Sequence, residues 1–243
     1  MDSLRALAKL TVSLRVVGVR ADGYHLLDAE MVTLAHHDTV TFDGDRPMAL
    51  TVDGPAGAPV PTDDSNLVVR ALRAVGRTAA VHITKRIRSG GGLGGGSADA
   101  AAVLRWAGCD DLGLAATIGA DVPFCLAGGR ARVTGIGDVL EPLPFEEMAY
   151  TLCTPPFGVS TPAVFRAWDE LGGPHCAGPN DLEPAALRVE PRLAHWRDRF
   201  AAATGLTPVL AGSGSTWFVP GAFHDLDDEL AGADVVVTRT DRP

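Results

Sequence analysis

Gly90-Gly91-Gly92-Leu93-Gly94-Gly95-Gly96-Ser97 runs straight into Ala98-Asp99-Ala100-Ala101-Ala102. Six of the seven residues from Gly90 to Gly96 carry no side chain, so their backbone N–H groups stay open to a close ligand. The alanine-rich stretch that follows predicts a helix over residues 98–106, with Asp99 in its first turn where a negative side chain suits the helix dipole. Bare amides beside a helix N-terminus make a cradle for phosphate. The competing reading is a flexible linker, but a linker does not normally join a β-rich segment directly to an Ala-rich helix.

Several phosphate binders use such loops. A Walker A loop requires Gly-Lys-Ser/Thr, and no lysine follows these glycines. A dinucleotide fingerprint can be fitted through Gly90, Gly92 and Gly95, but a glycine-saturated string satisfies many patterns. The preceding His82-Ile83-Thr84-Lys85-Arg86-Ile87-Arg88 is too charged for a buried parallel strand. Asp110-Asp111-Leu112-Gly113, near where the ribose-binding acid would stand, does not read as a strand end. A nicotinamide site is set aside.

Outward from the loop, residues 7–17 alternate, with Leu10, Val12, Leu14 and Val16 on one face and Lys9, Thr11, Ser13 and Arg15 on the other. That predicts a half-buried strand with Lys9 on its polar face. Arg20-Ala21-Asp22-Gly23 is a turn. Strands are expected at 27–34, 39–42 and 81–85, an exposed loop at 54–65, and a helix at 67–75 entered through Ser65-Asn66. Gly119-Ala120-Asp121-Val122-Pro123 reads as a loop, and strands are expected at 131–134 and 149–153. Beyond Thr154 the pattern gives helices at 162–171 and 192–203 and strands at 208–210, 216–219 and 235–238. A second glycine loop, Ala211-Gly212-Ser213-Gly214-Ser215, lies between two of these strands. Pro142, Pro144, Glu146 and Glu147 mark a boundary between parts 1–146 and 147–243. Helices and strands mixed without βαβ spacing indicate an α+β fold.

The chain has 243 residues, 46% of them hydrophobic, which is enough for one large core or two modest ones. A net charge of −9 makes nucleic acid and anionic lipid poor partners. No apolar run is long enough to span a membrane, and the N-terminus lacks the apolar block of a secretory signal and reads as a strand rather than a transit peptide. Cys109, Cys125, Cys153 and Cys176 have no metal-type spacing and read as reduced, buried thiols of a cytoplasmic protein. Lys9 and Lys85 are the only lysines; every other basic residue is arginine. A compact ammonium differs in chemistry from a guanidinium, so both positions are candidates for function.

The loop with Ser97-Ala98-Asp99-Ala100-Ala101 resembles the nucleotide loop of the GHMP small-molecule kinases. Ala8-Lys9-Leu10 with Arg20-Ala21-Asp22-Gly23-Tyr24-His25, Gly119-Ala120-Asp121-Val122-Pro123-Phe124 and Gly212-Ser213-Gly214-Ser215 narrow the likeness to the 4-diphosphocytidyl-2-C-methyl-D-erythritol kinase family. These segments occur in order along nearly the whole chain. The resemblance implies a two-part GHMP kinase fold, with a ribosomal-protein-S5-domain-2-like N-terminal part, a ferredoxin-like C-terminal part and the active site in the cleft between them. It implies an ATP- and Mg2+-dependent kinase acting on a small cytidine diphosphate sugar-alcohol, with no nucleic-acid or membrane partner, as a monomer or homodimer. Within the superfamily, a mevalonate- or homoserine-type alcohol is the alternative substrate, and a catalytically silent nucleotide-binding homologue is the alternative role.

By that resemblance Asp121 is the catalytic base and Lys9 its cationic partner, able to stabilise charge on the reacting oxygen. Arg88, Ser89, Gly90, Gly91, Gly92, Leu93, Gly94, Gly95, Gly96, Ser97 and Ala98 would hold ATP, with Ser97 also a candidate metal ligand. Asn66 and Lys85 would line the adenosine side. Thr11, Tyr24, His25, Thr161, Phe165, Gly212 and Ser213 would bind the substrate, with Phe165 a platform for cytosine. Plainer readings stand beside these: Asn66 and Asp121 as helix caps, Lys9 as a solvated strand lysine, His25 as a surface turn residue, Phe165 as core and 212–215 as a structural turn. Thr11 stands where the family has Asn, and Arg88 where it has Pro. The stretches between Trp106 and Gly119 and before His82 are short for the family.

Overall fold

The computed structural model describes residues 1–54 and 60–242, so residues 55–59 of the loop expected at 54–65 lie outside the described set. The chain opens with two long strands, β1 (Asp2–Val19) and β2 (His25–Asp43), and continues through β3 (Ala49–Asp53), α1 (Leu67–Ala74) and β4 (Ala80–Thr84). Next come α2 (Gly95–Trp106), α3 (Leu112–Ile118), α4 (Val122–Ala127), β5 (Arg130–Gly135) and β6 (Val139–Pro142). The remainder holds β7 (Ala149–Thr154), α5 (Thr161–Glu170), α6 (Glu183–Val189), α7 (Arg192–Thr204), β8 (Val209–Leu210), β9 (Trp217–Pro220) and β10 (Asp234–Arg239).

β2 organises the first, six-stranded sheet. β1 pairs with it antiparallel from Asp2↔Phe42 to Val19↔His25, while its other edge carries β4 toward its end and β5 toward its start. The second sheet has the order β10-β7-β9-β8. Segment 143–148 joins the two sheets, but the packing ignores that joint. One hydrophobic cluster combines Leu14, Met31 and Val133 of the first sheet with Trp168, Phe200 and Trp217 from the C-terminal part. Another joins Leu10, Leu34 and Leu93 to Tyr150, Leu152 and Phe218. No helix among the described residues is long and apolar enough to cross a membrane.

The structure departs from the sequence pattern in places that matter for the site. β2 is one strand rather than two pieces: β1 pairs with it on both sides of an irregularity at residues 34–36, and the polar His36-His37-Asp38 stretch finds partners. β1 is not half-buried at its centre: Lys9 and Thr11 are 6% and 2% exposed, since the glycine loops close over their face. α2 begins at Gly95, not at Ala98, which moves Asp99 out of the first turn and into the interior. The loop expected at 119–123 gives way to α4 at Val122, with Pro123 in the first turn where its missing N–H costs nothing. α6 carried no expectation. Cys125 and Cys153 are buried and burial pushes each thiol up to about 12, whereas Cys109 and Cys176 are only half-buried; all four are free.

Candidate active site

The glycine loop presents amides to a cleft of about 470 Å3. Gly94 caps α2 in the left-handed region (φ 68°), and Gly90 and Gly92 also have positive φ, conformations that disfavour any side chain. The amide of Ala98 donates to Gly94 O at 2.9 Å and the residue is fully buried, so Ala98 lies behind the cradle rather than in it. The N–H groups of residues 95–97 precede any intrahelical acceptor and remain available, as helix N-terminal amides do. Gly91 is spent on structure: its N–H reaches Arg88 O at 3.3 Å and its carbonyl accepts from Thr216 at 3.1 Å.

The second glycine loop closes the cradle from the C-terminal part. A Cβ on Gly92 would sit 2.3 Å from Ala211 O and 2.9 Å from Gly214 O, so the two loops meet backbone to backbone. Asn180 fixes the second loop, its Nδ2 donating to the carbonyls of Leu210 and Gly212 at 2.8 and 2.7 Å. The neighbouring buried Asp181 accepts from Val16 N at 3.1 Å and Arg15 Nη1 at 2.7 Å, tying the C-terminal part to β1. Burial alone would raise the Asp181 carboxyl, but hydrogen bonds from His175, Cys176, Arg15 and Val16 outweigh it and hold the group below its ordinary value. The sequence reading missed both residues. Asn-Asp before an apolar helix start was the available signal, and Asn180 does accept from Leu182 N at 2.9 Å.

Lys9 and Asp121 meet at the mouth of the cradle. Lys9 Nζ lies 3.5 Å from Asp121 Oδ2 and 3.1 Å from Thr11 Oγ1. The lysine stem runs under Gly94, where an added Cβ would stand 2.7 Å from Lys9 Cγ. Asp121 precedes α4, yet its side chain makes no capping bond and stays one-third exposed toward the cleft. The carboxylate is therefore free for chemistry rather than committed to a helix end.

Lys85 has a different environment. It is 2% exposed and its ammonium is held by Asp38 and, at 2.8 Å, by Asp99 of α2. It forms part of the cleft wall, but its charge is consumed inside the fold. With two carboxylates to one ammonium, burial raises the Asp99 carboxyl to about 7, against the pull of Lys85. Burial alone would lower the Lys85 ammonium, but Asp99 and Asp38 outweigh it and raise it.

Asn66 accepts from Val68 N at 2.8 Å, which makes it the α1 cap, and it also borders the cleft. Arg88, Ser89, Leu93 and Ser97 line the same cleft, and Arg88 Nε is buried without a partner among the described residues. At the other end stand Phe165, Gly212, Ser213 and Thr161, the last two hydrogen-bonded at 2.7 Å. His25 sits behind Phe165 rather than on the cleft surface. Its ring stacks on Phe165 with centroids 4.6 Å apart, and its Nε2 pairs with Asp169 at 2.8 Å. Tyr24 is not brought to the cleft; it is 59% exposed beside the turn, with the Arg20 guanidinium 5.9 Å from its ring centre. Among the described residues no three His, Cys, Asp or Glu side chains cluster as a metal cage.

The family model described as GHMP kinases N terminal domain matches residues 66–129. A 4-diphosphocytidyl-2-C-methyl-D-erythritol kinase of Cereibacter sphaeroides is 37% identical over 97% of this chain and 94% of its own length. One of Ruegeria pomeroyi is 39% identical over 87% of this chain and 85% of its own. The crystal structure of a 4-(cytidine 5'-diphospho)-2C-methyl-D-erythritol kinase superposes with a TM-score of 0.77 at 32% identity, covering 99% of this chain and all of that one. With this likeness running end to end, the chain belongs to the 4-diphosphocytidyl-2-C-methyl-D-erythritol kinase family of GHMP kinases.

Proposed function

We propose that this protein transfers the γ-phosphate of ATP to the 2-hydroxyl of 4-diphosphocytidyl-2-C-methyl-D-erythritol, a step of the non-mevalonate route to isoprenoid precursors. The observation that carries this reading is the Lys9–Asp121 pair at the mouth of a cradle of free amides. Phosphoryl transfer needs alignment, charge stabilisation and a proton acceptor more than covalent chemistry from the protein. In this reading the amides of residues 92–97 hold the triphosphate and Asn66 borders the adenosine. The substrate hydroxyl approaches Asp121, which takes its proton as the new O–P bond forms and the bond to ADP breaks. Lys9, fixed by Thr11 and walled by Gly94, stabilises negative charge on the attacking oxygen.

Mg2+ fits this donor set as an ion that arrives with the nucleotide. No acidic cage is built among the described residues, and Mg2+ commonly keeps its waters and phosphate oxygens with one or two protein ligands. The Ser97 hydroxyl, which borders the cleft at the start of α2, is the protein oxygen that would hold it, and the ion would neutralise phosphate charge. Phe165, backed by His25, offers a flat face for cytosine, with Thr161, Ser213 and Gly212 beside the diphosphate. Residues 1–146 would then carry the nucleotide site and residues 147–243 the cytidyl wall. An assay offering ATP with the cytidyl substrate, mevalonate or homoserine in parallel tests the assignment. Transfer to the cytidyl compound alone is expected; transfer only to a non-nucleotide alcohol would overturn it.

A further inference from the structure

A second cleft of about 520 Å3 opens on the seam between the two sheets and shares no lining residue with the first. His36 and His37 of β2 and Arg86, just past β4, form one side; Val236 and Arg239 of β10 and Ala149 of β7 form the other. The seam itself is fixed, with His36 N–H donating to Thr238 Oγ1 at 3.1 Å and Asp241 N–H to Thr33 O at 2.9 Å.

The charge here is unusual for so acidic a chain. Arg86 and Arg239 are both exposed, and neither guanidinium has an ion-pair or hydrogen-bond partner among the described residues. Most other arginines are tied down, as Arg5 is to Asp241, Arg15 to Asp181 and Arg132 to Asp28. Among the described residues no carboxylate lines the cleft. The acids whose charge reaches His36 are Asp38 and Asp234. Asp38 is buried and already saturated by Lys85 and by the amides of Arg86 and Ile87, which leaves Asp234 as the only one of the two uncommitted. Two guanidiniums lining one opening, with no carboxylate among its described lining residues, present planar N–H donors that phosphate oxygens can accept. His36 can add an N–H donor, whereas His37 spends its Nδ1–H on Ala35 O at 2.7 Å, and Val236 and Ala149 supply a short apolar wall.

We infer that this cleft binds a small phosphate monoester with a compact apolar group, bridged by Arg86 from the first sheet and Arg239 from the second. The arginines grip the phosphate from both halves of the molecule while the apolar group lies against Val236 and Ala149.

Phenyl phosphate is the probe, followed by 31P line broadening on the intact protein with the catalytic cleft filled by the β,γ-imido analogue of ATP. Saturable broadening should persist with the analogue bound. It should weaken at least tenfold in Arg239→Ala and in Arg86→Ala, and be unchanged in Arg77→Ala, another exposed arginine. Thermal melting of each variant confirms that it is folded, and because both arginines are exposed no loss of core is expected. The inference is overturned if the signal vanishes when the analogue binds, if both arginine variants retain full binding, or if no saturable binding occurs at all.

Discussion

Lys9 Nζ stands 3.5 Å from Asp121 Oδ2, a buried cation facing a one-third exposed carboxylate that no helix cap claims. The two come from the first strand and from the turn before α4, so only the closed fold brings them together. Asp121→Asn keeps the shape and removes the proton acceptor. Loss of a positioned general base costs on the order of 10²- to 10⁴-fold. Turnover should fall by about that amount while ATP binds within about twofold of the parent, as steady-state kinetics and direct nucleotide titration will show. Unchanged turnover would remove Asp121 from the reaction.

The glycine loop makes two separable demands, and substitution distinguishes them. As a reference outside the loop, Gly108 in the turn after α2 (φ 71°) has no described atom within 4 Å of a notional Cβ, so Gly108→Ala should cost only the left-handed backbone term of about 1–2 kcal/mol. Gly92→Ala adds a contact of 2.3 Å to the Ala211 carbonyl, backbone that cannot rotate away. It should destabilise well beyond the Gly108 variant and force the two glycine loops apart. Denaturant melts of the two variants side by side check this; equal losses would mean that the loops do not press together as described.

The buried Lys85 triad gives the protein a pH signature. Asp99 has a carboxyl pKa raised from 3.8 to about 7, so its contribution to stability is full below about pH 4 and is lost as pH rises toward 7. Asp99→Asn removes that titration and leaves Asp38 to pair with Lys85. Relative to the variant, the parent should therefore lose stability between pH 4 and 7, measured as the difference in Tm across that range. Lys85→Met leaves two uncompensated buried carboxylates and should cost about 3–5 kcal/mol, the usual penalty for breaking a buried ion pair.

What the sequence disclosed and what it hid follow from how each feature is encoded. The glycine cradle, Lys9 and Asp121 sit in contiguous, compositionally odd segments, which a linear reading can find. The Lys85 triad is not contiguous: Asp38 lies in a polar stretch that reads as a break between strands, and Asp99 reads as a helix-start acid until α2 is seen to begin at Gly95. Burial of Lys9 was hidden for the same reason. Alternation along β1 describes one sheet, whereas the loops that cover its polar face come from residues 90–97 and 211–215. Tyr24 was assigned to the substrate by the family likeness of its segment, but it stays in the turn ahead of β2 beside Arg20, whereas His25 opens the strand and stacks on Phe165.

Phe165 offers the most direct test of substrate choice. It lines the cleft on one face and is stacked by His25 on another, 4.6 Å between ring centres, with Trp168 edge-on to His25 at 5.5 Å. Such a braced ring suits a planar base, and removing an aromatic partner from a stacked base costs about 1–3 kcal/mol. Phe165→Ala should therefore raise KM for the cytidyl substrate by roughly 5- to 150-fold. KM for ATP, bound at the glycine loop, should change less than about twofold. His25→Ala, which removes the brace but not the platform, should give a smaller shift in the same direction. If both KM values rise together, the aromatic wall serves the fold rather than cytosine. If neither moves, the cytidyl group binds elsewhere in the cleft.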